Sequence, residues 1–221
     1  MAKSIELLMT TQVTRDTRQF IFTRPEGFDF TPGQGVELAI DEPDWRDQAR
    51  PFTPTSLPTD RLLEFTIKAY PEHEGVTRRL HELQPGARLT LSEPFGTIAY
   101  RGPGVFIAGG AGITPFIGIL RELARIGRLD GHRLIFSNKT PADIIYAQEL
   151  MAHLNTRCRL LCTQQAGPGE QTRRIDRDFL ADTVGDVDQH FYVCGPPGFT
   201  DATMDALKSL GADPDRLVFE Q

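Results

Sequence analysis

Four short stretches of this chain carry residues whose types and spacing could do chemistry. "RPFTPTSLP", Arg50 to Pro58, places an arginine, an aromatic ring and a hydroxyl on a backbone stiffened by three prolines. A forked guanidinium suits a phosphate, and a flat ring suits a flat ligand. "IAGGAGITP" follows an apolar run and opens a helical one. Gly109, Gly110 and Gly112 remove side chains where a pyrophosphate would approach backbone, and a helix N-terminus offers free N–H groups. Thr114 adds a hydroxyl, and Pro115 suits a first helical turn. "FYVCGPPGF" repeats that logic, holding Cys194 at a strand end between glycines and prolines. "GVT", Gly75 to Thr77, opens a short helical run.

Two rhythms of sequence must position these stretches. The first hundred residues read as short strands separated by turns: "IELLMTTQVT", "RQFIFTR", "GVELAI", the Arg50 stretch, "LLEFTIKAY" and "ARLTLSEP". Pro-Gly pairs in "TPGQG" and "QPGAR" supply the turns. This spacing predicts a small antiparallel barrel or sandwich. One helix interrupts it, with Val76, Leu80 and Leu83 on one face. After "RGPG", at Arg101 to Pro103, apolar strands alternate with helices, which implies a parallel sheet covered on both faces. "TPAD" predicts a helix start, with Thr140 capping, Pro141 in the first position and Asp143 in the third. The expected organisation is therefore a β domain over 1–101 followed by an α/β domain over 102–221.

Composition excludes several classes. The net charge of −6 gives no attraction to nucleic acid, and no basic stripe is present. No apolar run approaches the length of a membrane span, and the first residues lack a signal-peptide core. Three cysteines give no disulfide framework, and Cys158 and Cys162 have no further ligands nearby, so no metal site is expected. These features fit a cytoplasmic location. The five histidines form no ligand spacing, and His81 reads as solvated. No Ser-His-Asp arrangement or carboxylate pair presents itself.

Taken in order, "RPFT", "GVT", "GGAGITP" and "CGPPGF" resemble the motifs of the ferredoxin–NADP reductase superfamily, across nearly the whole chain. The likeness is greatest to flavodoxin/ferredoxin reductases and to reductase modules of multicomponent oxygenases. It implies an antiparallel flavin-binding β-barrel joined to an α/β parallel-sheet nicotinamide-nucleotide domain. By resemblance Arg50 pairs with flavin pyrophosphate, while Pro51 and Phe52 meet the flavin, with Phe52 where tyrosine is commoner. Thr53 puts its hydroxyl near flavin N5. Ile67, Lys68 and Tyr70 contact the flavin from the next strand, and Gly75, Val76 and Thr77 bind pyrophosphate. Gly110, Ala111, Gly112, Ile113 and Thr114 hold nicotinamide-nucleotide phosphates. Cys194, with Gly195, Pro196 and Pro197, stands beside the nicotinamide, and Glu220 approaches the flavin. The chain ends one residue later, where many members carry an aromatic ring.

The resemblance implies FAD in preference to FMN, with NADPH or NADH as hydride donor. A separate ferredoxin, flavodoxin or oxygenase component would accept electrons from a monomeric reductase. Release of reduced flavin as product, or a non-catalytic electron-transfer or regulatory subunit, are the competing readings. Discrimination of the 2′-phosphate falls on "FSNKTPAD", where Ser137 and Lys139 can hold a phosphate and Arg173 and Arg174 can reach it. Asn138-Lys139 is not the Ser-x-Arg typical of NADP-type members, and the reading tilts only slightly to NADPH. One geometric tension follows: strand alternation sets Arg50 and Phe52 on one face and Thr53 on the other.

Overall fold

The computed structural model describes residues 2–70, 74–96, 98–165 and 171–219. Its first half is a six-stranded antiparallel sheet. The strands are β1 (Lys3–Thr14), β2 (Thr17–Thr23), β3 (Val36–Ile40), β4 (Arg50–Phe52), β5 (Leu62–Lys68) and, after helix α1 (Val76–Glu82), β6 (Arg88–Leu91). They lie in the order β4-β3-β6-β1-β2-β5. Alternate residues such as Phe20 and Phe22, Leu63 and Phe65, and Leu89 and Leu91 point inward and are fully buried. That period-2 pattern is what one buried face of an antiparallel sheet demands.

The proline-rich stretch closes this sheet into a barrel. Arg50–Phe52 pairs with β3 at one edge, and Pro54 then bridges Phe65 of β5 at the other. The Thr55 amide donates to the Glu64 carbonyl at 2.7 Å. The tension over Thr53 is thereby resolved. The strand ends at Phe52, so Thr53 occupies the crossover between two edges, where pleat alternation no longer applies.

The second half is a parallel sheet built from β7 (Gly104–Gly109), β8 (Arg133–Asn138), β9 (Cys158–Cys162), β10 (Gln171–Thr172), β11 (His190–Cys194) and β12 (Leu217–Phe219). Their order is β10-β9-β8-β7-β11-β12. Helices α2 (Thr114–Arg125), α3 (Ala147–Leu154), α4 (Arg177–Val184) and α5 (Pro197–Ser209) cover it. Every residue of β7 is buried. Phe106 and Ala108 face the core that contains α2 and α3, while Val105 and Ile107 face α4 and α5. Central burial on both faces explains why these strands read as continuous apolar runs.

Two sequence expectations are corrected. "TPAD" forms a single 3-10 turn, Pro141–Asp143, held by the expected Thr140–Asp143 capping box. The α-helix begins only at Ala147, after Tyr146 adopts a left-handed φ of 52°. For a non-glycine residue that conformation costs ~1–2 kcal/mol, so its surroundings must hold it. His81 is not solvated. Its Nε2 lies 2.8 Å from the Ile67 carbonyl, its ring meets Phe20 edge-on, and burial lowers its pKa. Cys158 and Cys162 are the two end residues of β9, and burial pushes the Cys158 thiol up to about 12.

Candidate active site

The two halves meet at one cleft of ≈ 1010 Å³. It opens where the carboxyl ends of β7, β8 and β11 face the ends of β4 and β5. Open α/β sheets bind ligands at that edge.

The floor on the α/β side is two glycine turns in mutual contact. A Cβ on Gly112 would stand 2.4 Å from the Cys194 carbonyl oxygen and 2.6 Å from the Gly195 nitrogen. Gly109 and Gly195 both lie against the Phe199 ring, where an added Cβ would come within 3.1 Å and 2.6 Å. The "GGAG" and "CGPPG" motifs are therefore halves of one close-packed surface, and only glycine permits the approach. Gly110 adds a positive φ of 54° with open space beside it. Neither α2 nor α5 has a side-chain cap at its N-terminus. Their first amides are nonetheless largely spoken for: Thr114 donates to the Ala111 carbonyl, Phe199 and Thr200 donate to the Pro196 carbonyl, and Pro115 and Pro197 have no N–H. What the two helix starts offer an anion is the positive end of each dipole.

Thr53, 7% exposed, lines the cleft beside Pro51 and Phe52. Thr66, Ile67 and Lys68 line it from β5, Ala69 and Tyr70 from the residues just after it, and Thr77 from α1. Lys68 is held there by Asp16 at 3.1 Å. Burial raises the Asp16 pKa, but Lys68 and the hydroxyls of Thr14 and Thr17 outweigh it and hold the carboxyl below its ordinary value. Opposite stand Ser137, Asn138 and Lys139 from the end of β8, with Cys194, Gly195, Pro196 and Pro197 from the end of β11. Cys194 is buried.

The predicted set thus assembles from both domains, with qualifications. Val76 and Ile113 turn their side chains into the two cores, outside the cleft lining. Gly75 and Arg50 are not in the lining either. Arg50 is exposed, and its guanidinium donates to the Ala49 carbonyl at 2.8 Å. Arg173 is turned to Phe179 and Asp176 instead of the cleft. Glu220 lies outside the described residues.

Sequence reading missed Arg15, Asp16, Thr66, Asp143, Thr163 and Phe199, all of which line the cleft. Phe199 was within reach, since it is the aromatic residue that ends "CGPPGF". Arg15 sits in the β1–β2 turn and pairs with buried Asp143 across the cleft at 2.9 Å. No local pattern announces such a contact.

The residues present fit a flavin and a dinucleotide. The cleft has a volume suited to extended cofactors, glycine surfaces that admit backbone approach, and the positive dipole ends of α2 and α5 at its edge. The amide nitrogen of Asn138, 6% exposed, has no hydrogen-bond partner among the described residues. A buried amide in that state is unusual, and a polar ligand in the cleft would satisfy it.

Comparisons with known proteins agree. Residues 4–100 match the family profile of the oxidoreductase FAD-binding domain, and 106–205 that of the oxidoreductase NAD-binding domain. The propane 2-monooxygenase reductase component of Rhodococcus jostii is 26% identical over 212 residues, covering 89% of this chain and 56% of the relative. The naphthalene 1,2-dioxygenase system reductase component of Pseudomonas putida is 26% identical over 213 residues, covering 92% and 64%. The chain thus spans between about half and two thirds of the length of these curated relatives. A ferredoxin NADP+ reductase from Neisseria gonorrhoeae, solved with bound FAD and NADP, superposes with a TM-score of 0.83 at 22% identity, covering 95% of this chain and 92% of that one. The chain belongs to the ferredoxin–NADP reductase superfamily, with an oxidoreductase FAD-binding domain in the barrel followed by an oxidoreductase NAD-binding domain in the α/β half.

Proposed function

We propose that this chain takes electrons from NADPH onto bound FAD and passes them to a separate one-electron acceptor protein. The observation that carries this reading is the single cleft into which one domain puts Thr53 and the other Cys194. FAD, when bound, supplies the chemistry: it accepts hydride from the nicotinamide and releases electrons one at a time. The protein's own task is alignment and exclusion of water.

In this reading Pro51 and Phe52 contact the flavin ring and Thr53 offers its hydroxyl near the reacting nitrogen. Ile67, Lys68 and Tyr70 bound the ring from β5. Gly75, Val76 and Thr77 meet the flavin pyrophosphate, the first two through backbone alone, and Arg50 turns in from solvent to pair with it. Gly110 to Thr114 take the nucleotide phosphates. Cys194, followed by Gly195, Pro196 and Pro197, borders the nicotinamide. Ser137, Asn138 and Lys139 take the far ribose, with Lys139 as the cation that favours NADPH. Glu220 completes the catalytic set with Thr53 and Cys194. The two domains divide between residues 101 and 102.

The acceptor class is a ferredoxin, a flavodoxin or an oxygenase component. The matched relatives bear the names of reductase components, which supports it. Three cysteines cannot ligate a four-cysteine cluster, so these 221 residues do not themselves hold one. Among the described residues no helix is long and apolar enough to cross a membrane. The reading places a monomer in the cytoplasm.

The test is steady-state turnover of the gel-filtered yellow protein with NADPH and a ferredoxin. Oxidation of one nucleotide per two ferredoxins reduced, with flavin retained, is the expected result. Turnover that requires added free flavin would instead identify a flavin reductase. A flavin that no nucleotide bleaches would identify a non-catalytic subunit.

A further inference from the structure

Behind the cleft, the two domains are joined by a cluster of polar side chains that the cofactor reading does not use. Arg121 lies on α2, two turns after the glycine turn that begins that helix. Its guanidinium donates to Glu149 through Nε and Nη2 at 2.6 and 2.9 Å. Nη1 donates to Glu64 of β5 at 2.6 Å and to the Thr55 carbonyl at 2.8 Å. The Tyr146 ring lies 5.1 Å beneath it. The Tyr146 hydroxyl is 3.1 Å from Thr66, which is itself 3.2 Å from the Thr55 hydroxyl. Gly118, three residues before Arg121 on the same helix face, lets α2 approach so closely that an added Cβ would lie 3.3 Å from the Pro54 carbonyl.

The placement of these groups is what matters. Thr66 lines the cleft, and the residues after it, Ile67 and Lys68, continue the lining. Pro54 and Thr55 follow Thr53 directly. On the other side, α2 begins at the "GGAG" turn. Both working surfaces are thus fastened to the same guanidinium through one helix and one strand, with no flexible connection between.

We propose that Arg121, together with Tyr146, is a positioning residue that sets the separation and angle between the flavin-binding and nicotinamide-binding surfaces. This rests on the electron-transfer reading above. Arg121 touches neither surface and acts through α2 and β5. Burial opposes its charge, but the two carboxylates more than offset this and hold its pKa well above the ordinary value. It therefore stays ionised at every working pH. Arg121 makes four hydrogen bonds, two of them a parallel pair to Glu149, whereas an ammonium has three donors on a single atom, so lysine is no substitute here. Tyr146 makes these contacts from a left-handed backbone conformation, with φ 52°.

The test uses the flavin-loaded protein in anaerobic stopped flow, with whichever of NADPH and NADH reduces the wild type. Arg121→Lys keeps the charge and loses the fork. Tyr146→Phe keeps the ring over Arg121 and loses only the hydroxyl. Leu180→Ala, in the core on the opposite face of the nucleotide sheet, shows what lost stability alone does. The expected result is a limiting rate of flavin reduction lowered ~10-fold or more in the two clamp variants. Nucleotide dissociation constants should stay within about twofold of wild type, and the nucleotide–flavin charge-transfer absorbance should weaken. Leu180→Ala should melt earlier yet keep its limiting rate. Clamp variants with an unchanged limiting rate would overturn the inference, as would a change in affinity alone or an equal rate loss in Leu180→Ala. A wild type that neither nucleotide reduces would refute the electron-transfer reading itself, and the inference would fall with it.

Discussion

Gly112→Ala tests the geometry of the cleft floor most sharply. The added methyl would meet backbone atoms of Cys194 and Gly195 at 2.4 to 2.6 Å, and no rotamer can relieve a clash with backbone. Reaching an ordinary contact of about 3.4 Å requires the turns after β7 and β11 to part by roughly 1 Å. Overpacking of that kind costs ~1–3 kcal/mol, which for a chain of this length lowers the melting temperature by roughly 2–12 °C. The same displacement widens the surface proposed to hold the nucleotide, so affinity for NADPH should fall at least ~10-fold, or ~1.4 kcal/mol. The assay is a thermal scan of the flavin-loaded protein paired with calorimetric titration of NADPH. Gly198→Ala is the matched control, because that glycine lies in the same "GPPG" segment with nothing within 4 Å of an added Cβ. Helix propensity there favours alanine by up to ~1 kcal/mol, so its stability should hold or rise. A Gly112→Ala protein with wild-type melting temperature and wild-type affinity would refute the claim that the two turns form one packed surface.

The other predictions address individual groups. Thr53→Val should lower the limiting rate of flavin reduction ~10-fold while leaving flavin affinity within about twofold, as read by stopped flow against a flavin titration. Lys139→Ala should raise the Michaelis constant for NADPH ~10-fold and leave that for NADH alone, and an equal effect on both would remove Lys139 from the phosphate. Stability should also depend on pH through His81 and His132, whose pKa values burial pushes below their ordinary 6.5. Below 6.5 the unfolded chain binds protons that the folded chain refuses, so stability is full above that value and declines as pH falls toward the folded pKa values. The slope is at most ~1.4 kcal/mol per pH unit for each histidine. Urea midpoints at pH 7.5 and 5.5 check it, and a midpoint that rises on acidification would contradict it.

What the sequence revealed, and what it concealed, follows from the range of the interactions. Phe20, Phe22, Leu63 and Phe65 announce the barrel because burial on one face writes itself as alternation. The glycine turns are equally legible, since close backbone approach excludes every side chain locally. Arg121 shows only half its role: its spacing from Gly118 marks one helix face, but Glu64 lies 57 residues away and on the other domain. Arg15 in a hairpin turn looks like any solvated charge until Asp143 arrives from the second sheet. "TPAD" carries a valid capping box that holds only one turn, because the backbone is already extended at Ile144 and the α-helix starts afresh after Tyr146. His81 misled because its acceptor is the carbonyl of Ile67 on a neighbouring strand, invisible in the helical pattern.

The measurement that bears most directly on the central claim is anaerobic titration of the flavin-loaded protein with NADPH. If one cleft presents the flavin and the nicotinamide to each other, close to one equivalent of nucleotide should bleach the flavin absorbance. A flavin that dithionite bleaches but neither NADPH nor NADH does would contradict the account.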